Sequence, residues 1–316
     1  MRIFVSGSLA YDRIMDFPGR FVDHILPEKI HILNVCFMVN GLTERFGGTA
    51  GNIAYNLALL GESPAILATA GRDFGPYREW LESLGLPLAG IKEIPGEFTA
   101  GAYISSDLAD NQISGFNPGA MKHTSDYRFE DLDPAATLAI VAPGSLEDMR
   151  IYSRAYKFRG VRYIFDPGQS IPAWDGADLK EMADGALALI VNDYELEMFR
   201  QKTGLDVPGI LKLTPHLITT RGEQGSLIQT DRGIDEVPAV PPSQVQDPTG
   251  AGDAYRAGLL KGLALGLDWL ESARMGAVLA SFCVEQQGTQ EHRLEVPQFW
   301  RRYAGNFGAR PETAGV

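Results

Sequence analysis

Short apolar runs closed by turn residues recur along the chain and constrain its fold more than any other feature. Ile3-Phe4-Val5 ends at Ser6-Gly7-Ser8, residues 138–142 at Pro143-Gly144, 161–165 at Asp166-Pro167-Gly168, 188–191 at Asn192-Asp193, and 216–220 at Arg221-Gly222. Each run has strand length and is apolar on both faces, as buried parallel strands are. Helical patterns separate them; one covers residues 77–84 and stops at Gly85, placed as a C′ residue. This repetition predicts an α/β fold with a doubly wound central sheet flanked by helices. Ligands in such folds sit at the carboxyl ends of the strands, so the polar residues that close the runs are site candidates as a group.

Residues 30–46 and 98–117 break the alternation. They are strand-like with little helical pattern, and are expected to form a small separate sheet rather than extra strands of the main one. The tail, 308–316, has no apolar pattern and is expected to fray.

The 316 residues are 45% hydrophobic, ample for a large buried core. A net charge of -12 argues against a nucleic-acid partner, which requires a basic footprint. ATP remains compatible with it, because backbone amides, a helix N-terminus and a metal ion can hold phosphates. The two cysteines, Cys36 and Cys283, lie far apart, which fits a reducing compartment. No apolar stretch approaches the ~18 residues of a membrane span, and no signal peptide is evident. A soluble, cytoplasmic protein with no membrane partner is expected.

The sharpest motif is Asp247-Pro248-Thr249-Gly250-Ala251-Gly252-Asp253, a turn that runs straight into a helix. Gly250 and Gly252 allow close backbone approach, and the amides of Gly250, Ala251 and Gly252 should be free donors, a ready anion site. Asp253 falls in the first turn, where the helix dipole favours a carboxylate and should keep it ionised. It could take a proton from an attacking alcohol. A lone Asp at a helix start is ordinarily a cap; the Gly-Ala-Gly before it favours the chemical role. Arg256, one turn on, either contacts phosphate or pairs with a nearby acid. Gly258, Gly262 and Gly266 share a helical face, expected to pack closely on the sheet.

Three weaker motifs accompany it. Gly47-Gly48 opens a second helix; a substrate could lie on that backbone and hydrogen-bond Asn52, although a tight turn explains the glycines equally well. Asn192-Asp193-Tyr194-Glu195 follows a buried strand and suits either a hydrated Mg²⁺ or a capping box. Residues 219–226, rich in Gly and hydroxyls, suit nucleotide phosphates or ribose, or form a hairpin turn. No Walker A loop, protein-kinase catalytic loop or dinucleotide fingerprint is present, and the five histidines show no metal-ligand spacing.

Together, Gly47-Gly48-Thr49-Ala50-Gly51-Asn52 and residues 247–253 resemble the two signatures of the ribokinase-like, or PfkB, kinases, and Asn192 to Glu195 matches that family's Asn-x-x-Glu metal motif. All three stand in the family's order, and the resemblance covers nearly the whole chain. Segments 7–12, 17–21, 26–28, 73–77, 118–121 and 288–291 are most similar to bacterial adenosine kinases. The resemblance implies one kinase domain over 1–316 with a small β-sheet lid inserted at about 12–17, 30–46 and 98–117. In relatives the lid often mediates dimerisation, so a homodimer through the lid is implied.

It further implies transfer of the ATP γ-phosphoryl to the 5′-hydroxyl of adenosine, with Mg²⁺ as cofactor and purine salvage as the role. A sugar kinase or broader nucleoside kinase of the same family is the nearest alternative; a non-catalytic nucleotide-binding regulator is the one outside the class. Carried over by position, Asp253 is the base and Gly250, Ala251 and Gly252 the anion hole. Ser8, Asp12, Cys36, Gly47, Gly48, Asn52, Gln112, Phe116 and Gln169 bind the nucleoside, Asp12 through ribose hydroxyls and Phe116 by stacking. Asn192, Thr220, Gly222, Gln224, Gly225 and Gly252 bind ATP, and Glu195 holds Mg²⁺ through water. Cys36 stands where a serine is expected, and Ala102 where a second aromatic is expected.

Overall fold

β1 (Arg2–Ser6) shows how the central sheet is built: Ile3 and Val5 enter one apolar cluster and Phe4 the cluster on the opposite face. The computed structural model describes residues 1–129 and 132–312. In chain order β1 is followed by β2 (Ala10–Asp16), β3 (Leu42–Gly47), α1 (Thr49–Leu59), β4 (Ala65–Gly71), α2 (Gly75–Ser83), β5 (Ile91–Ile94), β6 (Ala100–Ser106), β7 (Gln112–Asn117), β8 (Thr137–Val141) and α3 (Leu146–Arg159). Then come β9 (Arg162–Phe165), α4 (Gly176–Ala183), β10 (Ala188–Asn192), α5 (Asp193–Thr203), α6 (Val207–Ile210), β11 (Leu217–Thr220), β12 (Ser226–Thr230), β13 (Gly233–Val237), α7 (Ala251–Ala264), α8 (Trp269–Cys283) and α9 (Val296–Phe307).

The central sheet has the order β13-β12-β11-β10-β9-β8-β1-β4-β5, parallel from β11 to β5, with β12 and β13 antiparallel at one edge. Helices α1, α2, α7, α8 and α9 cover one face; α3, α4 and α5 cover the other. All five apolar runs lie in this sheet, as the doubly wound expectation requires. No helix among the described residues is long and apolar enough to cross a membrane.

A second sheet, β3-β2-β6-β7, stands apart from the first. Its strands differ from the expected bounds. Only the end of the 30–46 run is strand; Pro27–Ile32 is a 3-10 helix and 33–41 is irregular. Both edges of β2 are taken, by β3 and β6, and Pro27 at the first helical position favours a helical turn. The apolar side chains of Ile30, Ile32 and Met38 are therefore left exposed.

Gly258 and Gly262 pack α7 on α8 rather than on the sheet: a Cβ at either would come within 2.6 Å of Met275 O or Ser272 Cα. Gly266 instead ends α7 with φ +80°. In the expected frayed tail, Arg310 still lies 4.5 Å over the Trp300 ring, and 313–316 fall outside the described residues.

Candidate active site

The start of α7 gathers the chemistry. Asp247 ties the preceding turn together, accepting from the amides of Thr249 and Gly288 at 2.9 Å each. Gly250 then takes φ +82°, a left-handed value that admits glycine at little cost, and caps α7 with no side chain in the way. The amides of Gly250, Gly252 and Asp253 find no acceptor among the described residues. Ala251 departs from expectation, because its amide donates to Pro248 O at 3.2 Å. The amides suited to an anion cradle are thus those of Gly250, Gly252 and Asp253, at the positive end of a helix.

Asp253 Oδ2 accepts from Asn52 Nδ2 at 2.8 Å. Burial pushes the Asp253 carboxyl up to about 6, against the pull of Arg256 and of the Asn52 amide; Asp166 and Glu195 push it further up. The expectation of a dipole-held, fully ionised Asp253 is corrected to that extent. A helix dipole is worth about 0.3–1 kcal/mol, less than one pKa unit, and desolvation outweighs it.

Arg256 pairs with an acid. Its Nη2 lies 2.7 Å from Asp166 Oδ1, its Nε on Asp166 Oδ2, and its Nη1 donates to Gly252 O at 3.1 Å. Both partners are almost wholly buried. Asp166 was legible only as one strand-end residue among many, yet it anchors the guanidinium beneath the anion cradle.

Asn192 and Glu195 form a complete capping box on α5: Asn192 Oδ1 accepts from Glu195 N at 2.7 Å and Glu195 Oε2 from Asn192 N at 2.8 Å. Glu195 Oε1 has no protein hydrogen bond among the described residues, and burial, followed by Asp166, raises the carboxyl. Capping therefore leaves one oxygen for the cavity that Glu195 lines.

Two cavities meet at Thr220, Gly222 and Gly252. The polar one, about 440 Å³, has Asp166, Gln169, Asn192, Glu195 and Asp253 in its wall. The apolar one, about 490 Å³, has Val240, Pro242, Val245, Tyr255, Ala277 and Val284 in its wall. The loop at 221–225 is both a hairpin turn and part of both walls. Thr220, Gly222 and Gly225 line cavity, whereas Gln224 is exposed and its carbonyl faces Arg221. The apolar wall was not read from the sequence, because single Val, Ala and Pro positions carry no signal apart from core.

Near the second sheet, Gly48 has φ +88°, and a Cβ there would meet Ser8 O at 2.6 Å. The Ser8 hydroxyl accepts from Thr49 N at 3.0 Å, which fixes the start of α1. A Cβ at Gly47 would meet Asp12 Oδ2 at 2.7 Å, so the carboxylate lies against bare backbone. Burial raises the Asp12 carboxyl and Arg45 opposes it. Asp12, Ala102 and Phe116 are in cross-strand register, hence on one face of the sheet. Gln112 lies on that face two pairs along, with Phe116 and Gln112 exposed. Cys36 is exposed in the irregular segment. None of these last three lines either cavity, and Asn52, with its side-chain oxygen held by Gln290 at 3.0 Å, reaches Asp253.

A carboxylate beside free backbone amides, where a polar and an apolar cavity join, suits a phosphotransferase acting on a hydroxyl acceptor. Residues 19–296 match the model of the pfkB family carbohydrate kinases, and the chain belongs to that family. The structure of a Burkholderia thailandensis nucleoside kinase in complex with inosine is similar, at 38% identity and a TM-score of 0.85, over 98% of this chain and 99% of that one. A nucleoside kinase of Methanocaldococcus jannaschii is 32% identical over 83% of this chain and 87% of its own length. One of Methanothermobacter thermautotrophicus is 30% identical over 88% and 91%.

Proposed function

We propose that this enzyme is an ATP-dependent nucleoside kinase that phosphorylates the 5′-hydroxyl of purine nucleosides, adenosine and inosine among them. The observation that carries the reading is Asp253 beside the unpartnered amides of Gly250, Gly252 and Asp253 itself, where the two cavities meet. The apolar cavity suits the adenine of ATP and the polar one its phosphates. Asp253 takes the hydroxyl proton as O5′ attacks the γ-phosphorus and the bond to the β-phosphate oxygen breaks. The amides stabilise the transferred phosphoryl group. Positioned base catalysis contributes roughly 10²–10⁴-fold, and each such donor roughly 10²–10³-fold.

Asp12 and Phe116 are suited to the ribose hydroxyls and the base. Ala102, directly opposite Phe116, leaves the base with one aromatic neighbour on that face, which favours a broad acceptor range over strict adenosine selectivity. The free Glu195 oxygen and the Asn192 amide suit a hydrated Mg²⁺. Among the described residues no three His, Cys, Asp or Glu side chains are grouped as a direct metal cage, in keeping with a cation held largely by water and phosphate. Bound there, Mg²⁺ would neutralise phosphate charge. Two free cysteines and the use of ATP fit a cytoplasmic enzyme.

The test is ADP release with Mg²⁺ and a panel of adenosine, inosine, guanosine, cytidine, ribose and fructose 6-phosphate. Adenosine and inosine are expected to exceed both sugars in kcat/KM by at least ~10²-fold, since a missing base leaves its pocket unfilled. A sugar as preferred acceptor would overturn the nucleoside reading.

A further inference from the structure

A buried chain of side-chain amides reaches from the surface of α2 to Asp253. Trp80 Nε1 donates to Gln290 Oε1 at 2.9 Å. Gln290 Nε2 donates to Asn52 Oδ1 at 3.0 Å and to the Tyr77 hydroxyl at 2.7 Å. The Tyr77 hydroxyl in turn donates to Gly47 O at 2.8 Å, and Asn52 Nδ2 ends the chain on Asp253 Oδ2 at 2.8 Å. Asn52, Tyr77 and Gln290 are all buried.

The direction of this chain is fixed chemically. An indole N–H can only donate, so Gln290 must turn its oxygen to Trp80 and its nitrogen to Asn52. Asn52 must then turn its oxygen to Gln290 and its nitrogen to Asp253. Reversing any member would set oxygen against oxygen in a buried site, a costly arrangement. Gly51 leaves the room: a Cβ there would lie 1.9 Å from the Tyr77 oxygen and 3.1 Å from Gln290 Nε2.

We infer that Trp80 and Gln290 are positioning residues for phosphoryl transfer: they orient the Asn52 amide so that its N–H groups face Asp253 and the acceptor hydroxyl. Asn52 Nδ2 carries two hydrogens. One holds Asp253, the only acceptor of Asn52 Nδ2 among the described residues; the other is the one offered to the acceptor oxygen. The inference rests on the proposed base role of Asp253.

Other charges face Asp253. Arg256 on α7, Asp166 after β9, Glu195 on α5, and the Cys283 thiol and Tyr77 hydroxyl all couple to it. Of these only Tyr77 is touched by Gln290, whose Nε2 donates to its hydroxyl; Trp80→Phe leaves all of them in place and adds no charge, so a shift in that variant reports the amide chain.

Two variants test it. Trp80→Phe keeps a ring between Phe46 and Tyr55 and removes the donor. Gln290→Glu supplies two acceptors, which turns Asn52 around and sets its oxygen on Asp253. Both are expected to lower kcat, Gln290→Glu by roughly 10²-fold, with KM for ATP unchanged. Both are also expected to move the acid limb of the kcat/KM profile to higher pH, by about one unit for Gln290→Glu, because the carboxylate loses a donor. The Asp253 carboxyl titration, followed by carbon-13 NMR on the full-length protein, should shift the same way. An unshifted titration in both variants would overturn the inference, even with lower thermal stability, because packing loss alone does not move it. An enzyme that phosphorylates no nucleoside would sink the proposed function, while the NMR titration would still decide the amide chain.

Discussion

Arg256 grips Asp166 through two nitrogens at the end of β9, and a third nitrogen of the same guanidinium holds the carbonyl of Gly252. The residue that follows Gly252 is Asp253, the proposed base. One buried cation therefore fixes the backbone of Gly252 and lowers the cost of a second, half-buried carboxylate, Asp253. Removing one partner leaves the other charged and desolvated. Asp166→Ala is expected to cost about 3–5 kcal/mol, measured as a fall in the urea midpoint with unchanged m-value. A loss under about 1 kcal/mol, the range of exposed pairs, would contradict the buried pairing.

Activity should have an acid limb near the Asp253 titration. The carboxyl is raised to about 6, so its basic form predominates above that pH and is lost below it. The kcat/KM profile for the nucleoside should fall tenfold per pH unit well below 6. Arg256→Met removes the largest influence that favours the ionised form, and should move this limb upward.

His292 sets a stability limb instead. Burial lowers its imidazole to about 4, its Nε2 meets Asn56 Oδ1 at 2.8 Å, and its Nδ1 has no partner among the described residues. The unfolded chain takes up this proton near 6.5 and the folded chain near 4. Its contribution is therefore intact above pH 6.5, is lost progressively as pH falls towards 4, and amounts to about 3 kcal/mol. His292→Gln should flatten the fall in denaturation midpoint across that window. An unchanged slope would remove His292 from the account.

Gly48→Ala is expected to cost about 1–3 kcal/mol through overpacking and a disfavoured φ, because the added carbon would press on Ser8 O and Ala10 N. The same variant should raise KM for the nucleoside, since Ser8, Asp12 and the start of α1 meet there. Thermal denaturation and initial-rate kinetics check the two effects.

Much of this was legible in the sequence for a physical reason. Buried parallel strands must be apolar on both faces and must end in turns, so the central sheet announced itself. The turn into α7 with free amides at Gly250 and Gly252 was legible because glycines on both sides of a helix start leave its first N–H groups uncovered. Residues 30–41 misled, because exposed apolar side chains outside any sheet mimic a strand pattern. The free amide of Ala251 was misplaced because a turn bond to Pro248 depends on backbone geometry that composition does not encode. Asp166, Trp80 and Gln290 act through partners far away in sequence: the Arg256–Asp166 bond spans 90 residues, the Trp80–Gln290 bond 210 and the Gln290–Asn52 bond 238. No local pattern carries such pairings.

The most direct test is single-turnover transfer from γ-labelled ATP to inosine, wild type beside Asp253→Asn, with ATP affinity measured in parallel. Label in inosine 5′-monophosphate, slowed by at least ~10²-fold in the variant at unchanged ATP affinity, is the predicted result. Transfer by Asp253→Asn at the wild-type rate would contradict the assignment of the base and with it the account of the site.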